Sequence, residues 1–339
     1  MKLQHLYNPK VNDIGNDHLE FIASMAGPTV IHLTGEDPSR CRVLVTLLHA
    51  NEPSGFKAIH RLLAQQVTPK TSFKIIIASV IAARTEPVFT HRMLAGQRDL
   101  NRCFAANDVA AAQQDSQGKL ALAMTEFIQQ VQPEAIIDLH NTSGSGPAFC
   151  VSVTEQIQHQ ALATLFVPRL IKTDIRLGAI MECDFGCPII TVEAGGSQDA
   201  AADEAAYHGV RRFMCEDNVF AIQQSVDIIR QPRRLEIKPD VSIGYSDTPN
   251  PMQHITMRQD IEKLNFGVTA GNQLLGWINQ GNLEQLRLDN EHYDIHDFFV
   301  LDQGNLMTRQ ALQLFMVTTR PDIAKSDCLF YFAIPETHS

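Results

Sequence analysis

The chain has 339 residues, 44% of them hydrophobic and 19% charged, enough for one large domain with an appendage or for two ordinary globular domains. Its formal net charge of −10 argues against a general nucleic-acid or anionic-membrane surface. The first residues form no apolar signal region, no run approaches the ~18 apolar residues that span a bilayer, and the seven scattered cysteines suit reduced thiols in a cytoplasmic protein.

In chain order, residues 1–28 are a mixed polar arm or helix ending at Gly27-Pro28. Thr29–Thr34 alternates like a strand, and Gly35–Ser39 is turn chemistry. Arg42–His49 is an apolar, β-branched run that reads as a buried strand closing on a histidine, with Glu52 on the following turn. Ser54 is placed to cap a helix through about Leu63, and Phe73–Val80 is the next strand, so the order suggests a βαβ unit. Ala82–Phe104 is polar and holds Arg84, Arg92, Arg98 and Arg102. Residues 105–131 read as loop and then helix.

Ala135–His140 is a second strand ending on a histidine, followed by the loop Asn141–Pro147. Ala148–Val153 is strand-like and precedes a helix to about Phe166. Pro188–Glu193 is a third apolar strand, ending on a glutamate. Ala200–Ile229 reads as one long Ala-rich helix, and Arg230–Arg234 as a linker. Residues 235–339 show short alternation punctuated by glycines, a smaller β-rich domain after a larger one over 1–230. The cluster Glu291-His-Tyr-Asp-Ile-His-Asp297 reads as a solvated turn in preference to a second metal site.

Ligands of open α/β sheets collect outside the carboxyl ends of the strands. Imidazole nitrogens and a carboxylate oxygen suit Zn²⁺, and three protein ligands leave a fourth position open, as in catalytic zinc sites. His49, Glu52 and His140 offer that set. Taken alone, His-x-x-Glu also fits a capped turn, and His140 a hydrogen-bonded structural histidine. In Asp99-Leu-Asn-Arg102, the Asn101 amide and Arg102 guanidinium could grip a carboxylate, while Asp99 could fix the tautomer of a metal-bound histidine. A helix-start cap beside a surface arginine is the plainer reading. Glu193 at a buried strand end needs a partner, either an arginine or a metal-activated water.

Together, His49-Ala-Asn-Glu52-Pro-Ser-Gly55, Arg98-Asp-Leu-Asn-Arg102-Cys-Phe104, Asp138-Leu-His-Asn-Thr-Ser143 and Val192-Glu-Ala-Gly-Gly196 resemble the succinylglutamate desuccinylase/aspartoacylase family, a branch of the zinc carboxypeptidase-like fold. The resemblance implies a three-layer α/β/α mixed sheet and a smaller β-rich carboxy-terminal domain that narrows the active-site entrance. It also implies one Zn²⁺ per chain, held by His49, Glu52 and His140. Glu193 would be general base and then general acid, Asn101 and Arg102 would bind the substrate's carboxylate, and Asp99 would support His49. An arginine polarising the scissile carbonyl falls to Arg92, with Arg98 and Arg84 as alternatives.

The implied activity is deacylation: hydrolysis of the amide of a small N-acyl amino acid, with no nucleic-acid or membrane partner and with homo-oligomerisation left open. Aspartoacylases carry a further arginine about ten residues before the catalytic glutamate. Here Met181–Cys187 has none and contains Glu182 and Asp184, so the expected substrate carries a neutral or basic group in place of a second carboxylate. The competing readings are a zinc carboxypeptidase acting on short peptides and a binding protein that kept the fold.

Overall fold

The computed structural model describes residues 2–104, 114–142, 144–222, 224–290 and 292–335. The loop expected before residue 114 lies largely outside these, as do Ser143 and Glu291 of the motifs above. The chain divides into two compact units, residues 1–141 with 148–228, and residues 142–147 with 229–339. The division departs from a simple cut at 230, because the loop after β5 is counted with the carboxy-terminal unit.

The first unit is built on a nine-stranded mixed sheet in the order β1-β2-β4-β3-β5-β8-β6-β7-β9. The strands are β1 (Gln4–Tyr7), β2 (Thr29–Leu33), β3 (Asp37–Thr46), β4 (Thr71–Ile77), β5 (Ala135–Thr142), β6 (Phe149–Ser152), β7 (Arg169–Lys172), β8 (Ile189–Gly196) and β9 (Asp227–Arg230). The helices are α1 (His18–Ser24), α2 (Ser54–Ala64), the single turn α3 (Val80–Ala83), α4 (Ser116–Val131), α5 (Ile157–Thr164) and α6 (Ala200–Cys215).

Strand alternation sends side chains to both faces of this sheet, and both are buried. Leu44 of β3, Phe73, Ile75 and Ile77 of β4, and Ile137 and Leu139 of β5 join one core with α1, α2, α5 and α6. Val43 and Val45, Ile76 and Ile136 join the other with α4. The result is three layers, α/β/α. Helix α4 presents Leu120, Met124 and Ile128 at helical spacing, and burying each contributes about 1.5–3 kcal/mol. Asp115 starts that helix by accepting from the Gln117 and Gly118 N–H groups, and Gln132 ends it in the left-handed region at φ 45°.

Strands β3 and β4 are parallel and joined through α2, the expected βαβ order. Gly35–Ser39, read as turn chemistry, contains the start of β3 at Asp37. Pro53 stands at the N-cap of α2, with Ser54 its first residue. Arg230–Arg234, read as a linker, holds the end of β9 and the start of β10 (Arg233–Ile237). Two larger expectations change. The helix read over Ala200–Ile229 ends at Cys215, and residues 227–229 belong instead to β9. The polar stretch Glu216-Asp-Asn218 interrupts the apolar spacing, and the carbonyls of Phe213, Glu216 and Asp217 are taken up by Arg42. The amino-terminal arm contributes a strand, β1, parallel to β2.

The second unit holds two sheets. One runs β14-β10-β18-β17, from β10 (Arg233–Ile237), β14 (Leu286–Leu288), β17 (Gln313–Phe315) and β18 (Phe330–Ala333). The other runs β11-β12-β13-β16-β15, from β11 (Ile243–Ser246), β12 (Ile255–Arg258), β13 (Leu274–Ile278), β15 (Phe299–Asp302) and β16 (Asn305–Thr308). A core of its own joins them, with Phe299 edge-on to Phe332 at 5.2 Å.

Candidate metal centre

The three chemistry-bearing runs become β3, β5 and β8, adjacent in the sheet. The histidines and glutamate are not the last residues of their strands, as the apolar runs suggested. β3 stops at Thr46, Leu47 turns the chain at φ 55°, and His49 sits in the loop beyond. β5 continues to Thr142 and β8 to Gly196. The loop after β3 is pinned to the end of β4, where the Ala78 N–H donates to the Thr46 carbonyl at 3.1 Å and the Ser79 N–H to Leu47 at 2.8 Å.

Among the described residues, the one grouping of three histidine, cysteine or carboxylate side chains able to hold a metal ion is His49, Glu52 and His140. Their ligand atoms all lie within 4.8 Å of one another, and all three residues are buried. His49 Nδ1 is 2.9 Å from Glu52 Oε1, and His140 Nδ1 is 2.7 Å from Glu52 Oε2. The imidazoles meet edge to face, 4.9 Å between centroids. Their far nitrogens face carboxylates: His49 Nε2 is 2.9 Å from Asp99 Oδ1, and His140 Nε2 is 3.0 Å from both oxygens of Asp138. A proton on each Nε2, donated to its carboxylate, leaves each Nδ1 lone pair aimed at the centre, which is the tautomer a cation requires.

Asp138 is fully buried and also accepts from the Thr191 hydroxyl at 3.0 Å. Its role was missed in the sequence. The signal was available, since Asp138 and His140 are two apart on one strand and must share a face.

The charges respond to this crowding. Burial alone would raise the Glu52 carboxyl, but His49 and His140 outweigh it and hold it well below the usual range. Burial would depress His140, yet Asp138 and Glu52 carry it well above an ordinary histidine. Burial would likewise raise Asp99, and His49, Arg92 and Arg102 pull it far down. Glu193 goes the other way: burial, reinforced by Glu52 and Asp138 against the opposing His140, pushes it up to about 8. Its residue is half-buried, but Oε2 is sealed from solvent with no hydrogen-bond partner among the described residues.

Arg92 is drawn into the same cluster. Its Nη2 donates to Asp99 Oδ2 at 2.9 Å and lies 2.8 Å from His49 Nε2, and Nη1 is 3.4 Å from Glu52 Oε1. Its carbonyl accepts from the Ala50 N–H at 3.0 Å, which ties its loop to the ligand turn. The alternatives are engaged elsewhere: Arg84 on the Met25 carbonyl and Arg98 on Asp115. Asn101 is buried, its Oδ1 accepts from the Ile180 N–H at 3.1 Å, and its Nδ2 is 3.5 Å from His140 Nε2. Arg102 donates to the Asn101 carbonyl at 3.0 Å. Glu182 is taken up by its own loop, accepting from the N–H groups of Leu177, Gly178 and Ala179.

No protein-family model matches the chain, and no curated protein matches it in sequence. Solved structures do. A succinylglutamate desuccinylase/aspartoacylase from Rhodobacter sphaeroides superposes with a TM-score of 0.55 at 14% identity, covering 91% of this chain and 88% of that one. The succinylglutamate desuccinylase of Vibrio cholerae gives 0.54 at 12% identity, covering 89% and 90%. Murine aminoacylase 3 gives 0.54 at 13% identity, covering 88% and 96%. No helix among the described residues is long and apolar enough to cross a membrane. Over most of its length the chain therefore has the fold of the succinylglutamate desuccinylase/aspartoacylase structures.

Proposed function

We propose that the protein is a zinc-dependent hydrolase of the amide bond in small N-acyl amino acids. The observation that carries this reading is the buried convergence of His49, Glu52 and His140, with carboxylates behind both imidazoles. Two imidazole nitrogens and one carboxylate oxygen fit Zn²⁺, one ion per chain, and Glu193 Oε2, sealed and without a hydrogen-bond partner among the described residues, supplies a further buried group in want of a hydrogen-bonding neighbour. The likeness to a desuccinylase and an aminoacylase supports an acyl-amino acid as the substrate class.

Zinc held there contributes Lewis acidity, polarising a carbonyl and lowering the pKa of water to roughly 7. Glu193 takes the proton of the attacking water and returns it to the departing amine. Arg92, its guanidinium already among the ligands, stabilises the charge that develops on the carbonyl oxygen. Asn101 and Arg102 hold the substrate's carboxylate, with Asp99 orienting His49. The products are a carboxylic acid and a free amino acid. Glu182 is spent on three backbone N–H groups, and the stretch Met181–Cys187 offers no cation for a second carboxylate, while Asp184, exposed and accepting from the Gly186 N–H at 2.9 Å, remains there as an anion. A neutral or basic substrate side chain fits best.

The test is hydrolysis of a panel of N-acetyl and N-succinyl amino acids, dipeptides and tripeptides by wild type and Glu193→Gln, with bound zinc quantified in both. The expected result is metal in both proteins, cleavage of N-acyl amino acids by the wild type, and a loss of about 10²–10⁴-fold in the variant. Activity that survives chelation overturns the assignment, and a preference for tripeptides moves it to a carboxypeptidase.

A further inference from the structure

Asn141 follows the ligand His140 and is 2% exposed. Its side chain is fully used. Oδ1 accepts from the Ser54 N–H at 3.1 Å, while Nδ2 donates one hydrogen to Ser54 Oγ and the other to the Gly195 carbonyl, both at 2.9 Å. Its backbone N–H points at Glu52 Oε2, 3.3 Å away. Ser54 is two residues past Glu52, and Gly195 two past Glu193. One residue therefore grips the turn carrying His49 and Glu52 at three points and the strand carrying Glu193 at a fourth.

The network continues outward in one direction. Ser54 Oγ donates to Asp203 Oδ1 at 2.6 Å, and Asp203 Oδ2 accepts from Lys57 at 2.9 Å. The serine hydroxyl is thereby committed as donor to Asp203 and must accept from Asn141. Only an amide meets the demands at this position, two donors and one acceptor. A carboxylate would turn oxygen against both Ser54 Oγ and the Gly195 carbonyl, in a buried pocket beside Glu52.

We propose that Asn141 is a positioning residue that fixes the Glu52 turn against the Glu193 strand, and so sets the affinity and geometry of the metal centre. This rests on the zinc reading above. It assigns Asn141 no contact with substrate.

The test uses the full-length protein and the metal alone. Zn²⁺ affinity is measured by competition with a chromophoric chelator, and the visible spectrum of the Co²⁺-loaded protein is recorded. The proteins are wild type, Asn141→Ala, Asn141→Asp and, as a destabilised control remote from the site, Arg42→Met. Both Asn141 variants are expected to bind Zn²⁺ about 10–100-fold more weakly and to shift the Co²⁺ bands, with Arg42→Met like wild type in both. If Asn141→Ala does not fold, Ser54→Ala removes the hydroxyl that accepts from Asn141 and donates to Asp203, keeps the Ser54 N–H bond to Asn141 Oδ1, and is expected to weaken zinc by a smaller factor. Asn141 variants with wild-type zinc affinity and an unchanged Co²⁺ spectrum overturn the proposal and leave the zinc reading intact. Equal weakening in Arg42→Met overturns it too. A wild type that takes up neither metal overturns the zinc reading, and this proposal with it.

Discussion

At Glu193, burial of Oε2 raises the carboxyl from the ordinary 4.5 to about 8, so its contribution to stability has a definite sign. In metal-free protein the folded state keeps a proton that the unfolded state loses above about 4.5. The contribution is full below the unfolded pKa and is lost as pH rises through the folded one. Metal-free wild type is therefore expected to lose stability relative to Glu193→Gln between about pH 4.5 and pH 8, in denaturant midpoints across that range. Parallel curves would show that the carboxyl is not perturbed. Asp138 makes a second residue-scale case. Asp138→Asn keeps an acceptor for His140 Nε2 but loses the charge, and zinc affinity is expected to fall about 10–100-fold by chelator competition. An unchanged affinity would mean that β5 alone orients His140.

Among the elements, β3 and α6 are joined by one buried side chain. Arg42 is fully buried; its Nε meets Glu134 at 2.5 Å, and its Nη atoms reach the carbonyls of Phe213, Glu216 and Asp217 at the end of α6. Breaking a buried pair costs about 3–5 kcal/mol. Glu134 keeps Arg40, so Arg42→Met is expected near the low end, about 3 kcal/mol by chemical denaturation. A loss below about 1 kcal/mol would place the clamp at the level of a surface pair. That clamp also marks how far the elements were legible. The runs that close on His49, His140 and Glu193 stood out because an apolar run that closes on a titratable residue has few structural uses. Strands β1, β7 and β9 have four residues each, too few to show a period. The true end of α6 depends on Arg42, more than 170 residues earlier in the chain and invisible to local pattern. The role of Asn141 was hidden for the same reason, since its partners Ser54 and Gly195 lie on other elements, whereas Asp138 was legible from its place two residues before His140 on one strand.

On the scale of the whole molecule, two units carry separate cores, and every residue assigned to the candidate chemistry belongs to the first. Its nine-stranded sheet sets β3, β5 and β8 side by side, which turns three distant sequence motifs into one buried centre. A ligand that binds only the folded state stabilises by about 2.7 kcal/mol at a hundred times its Kd. Zinc is therefore expected to raise the melting temperature of the protein, and a chelator to reverse the gain. The most direct measurement is anomalous X-ray diffraction at the zinc edge from crystals of the zinc-loaded protein. The account requires one peak per chain, bounded by His49 Nδ1, the Glu52 carboxylate and His140 Nδ1. A peak bound by other residues, or none at that position in protein shown to carry zinc, would contradict it.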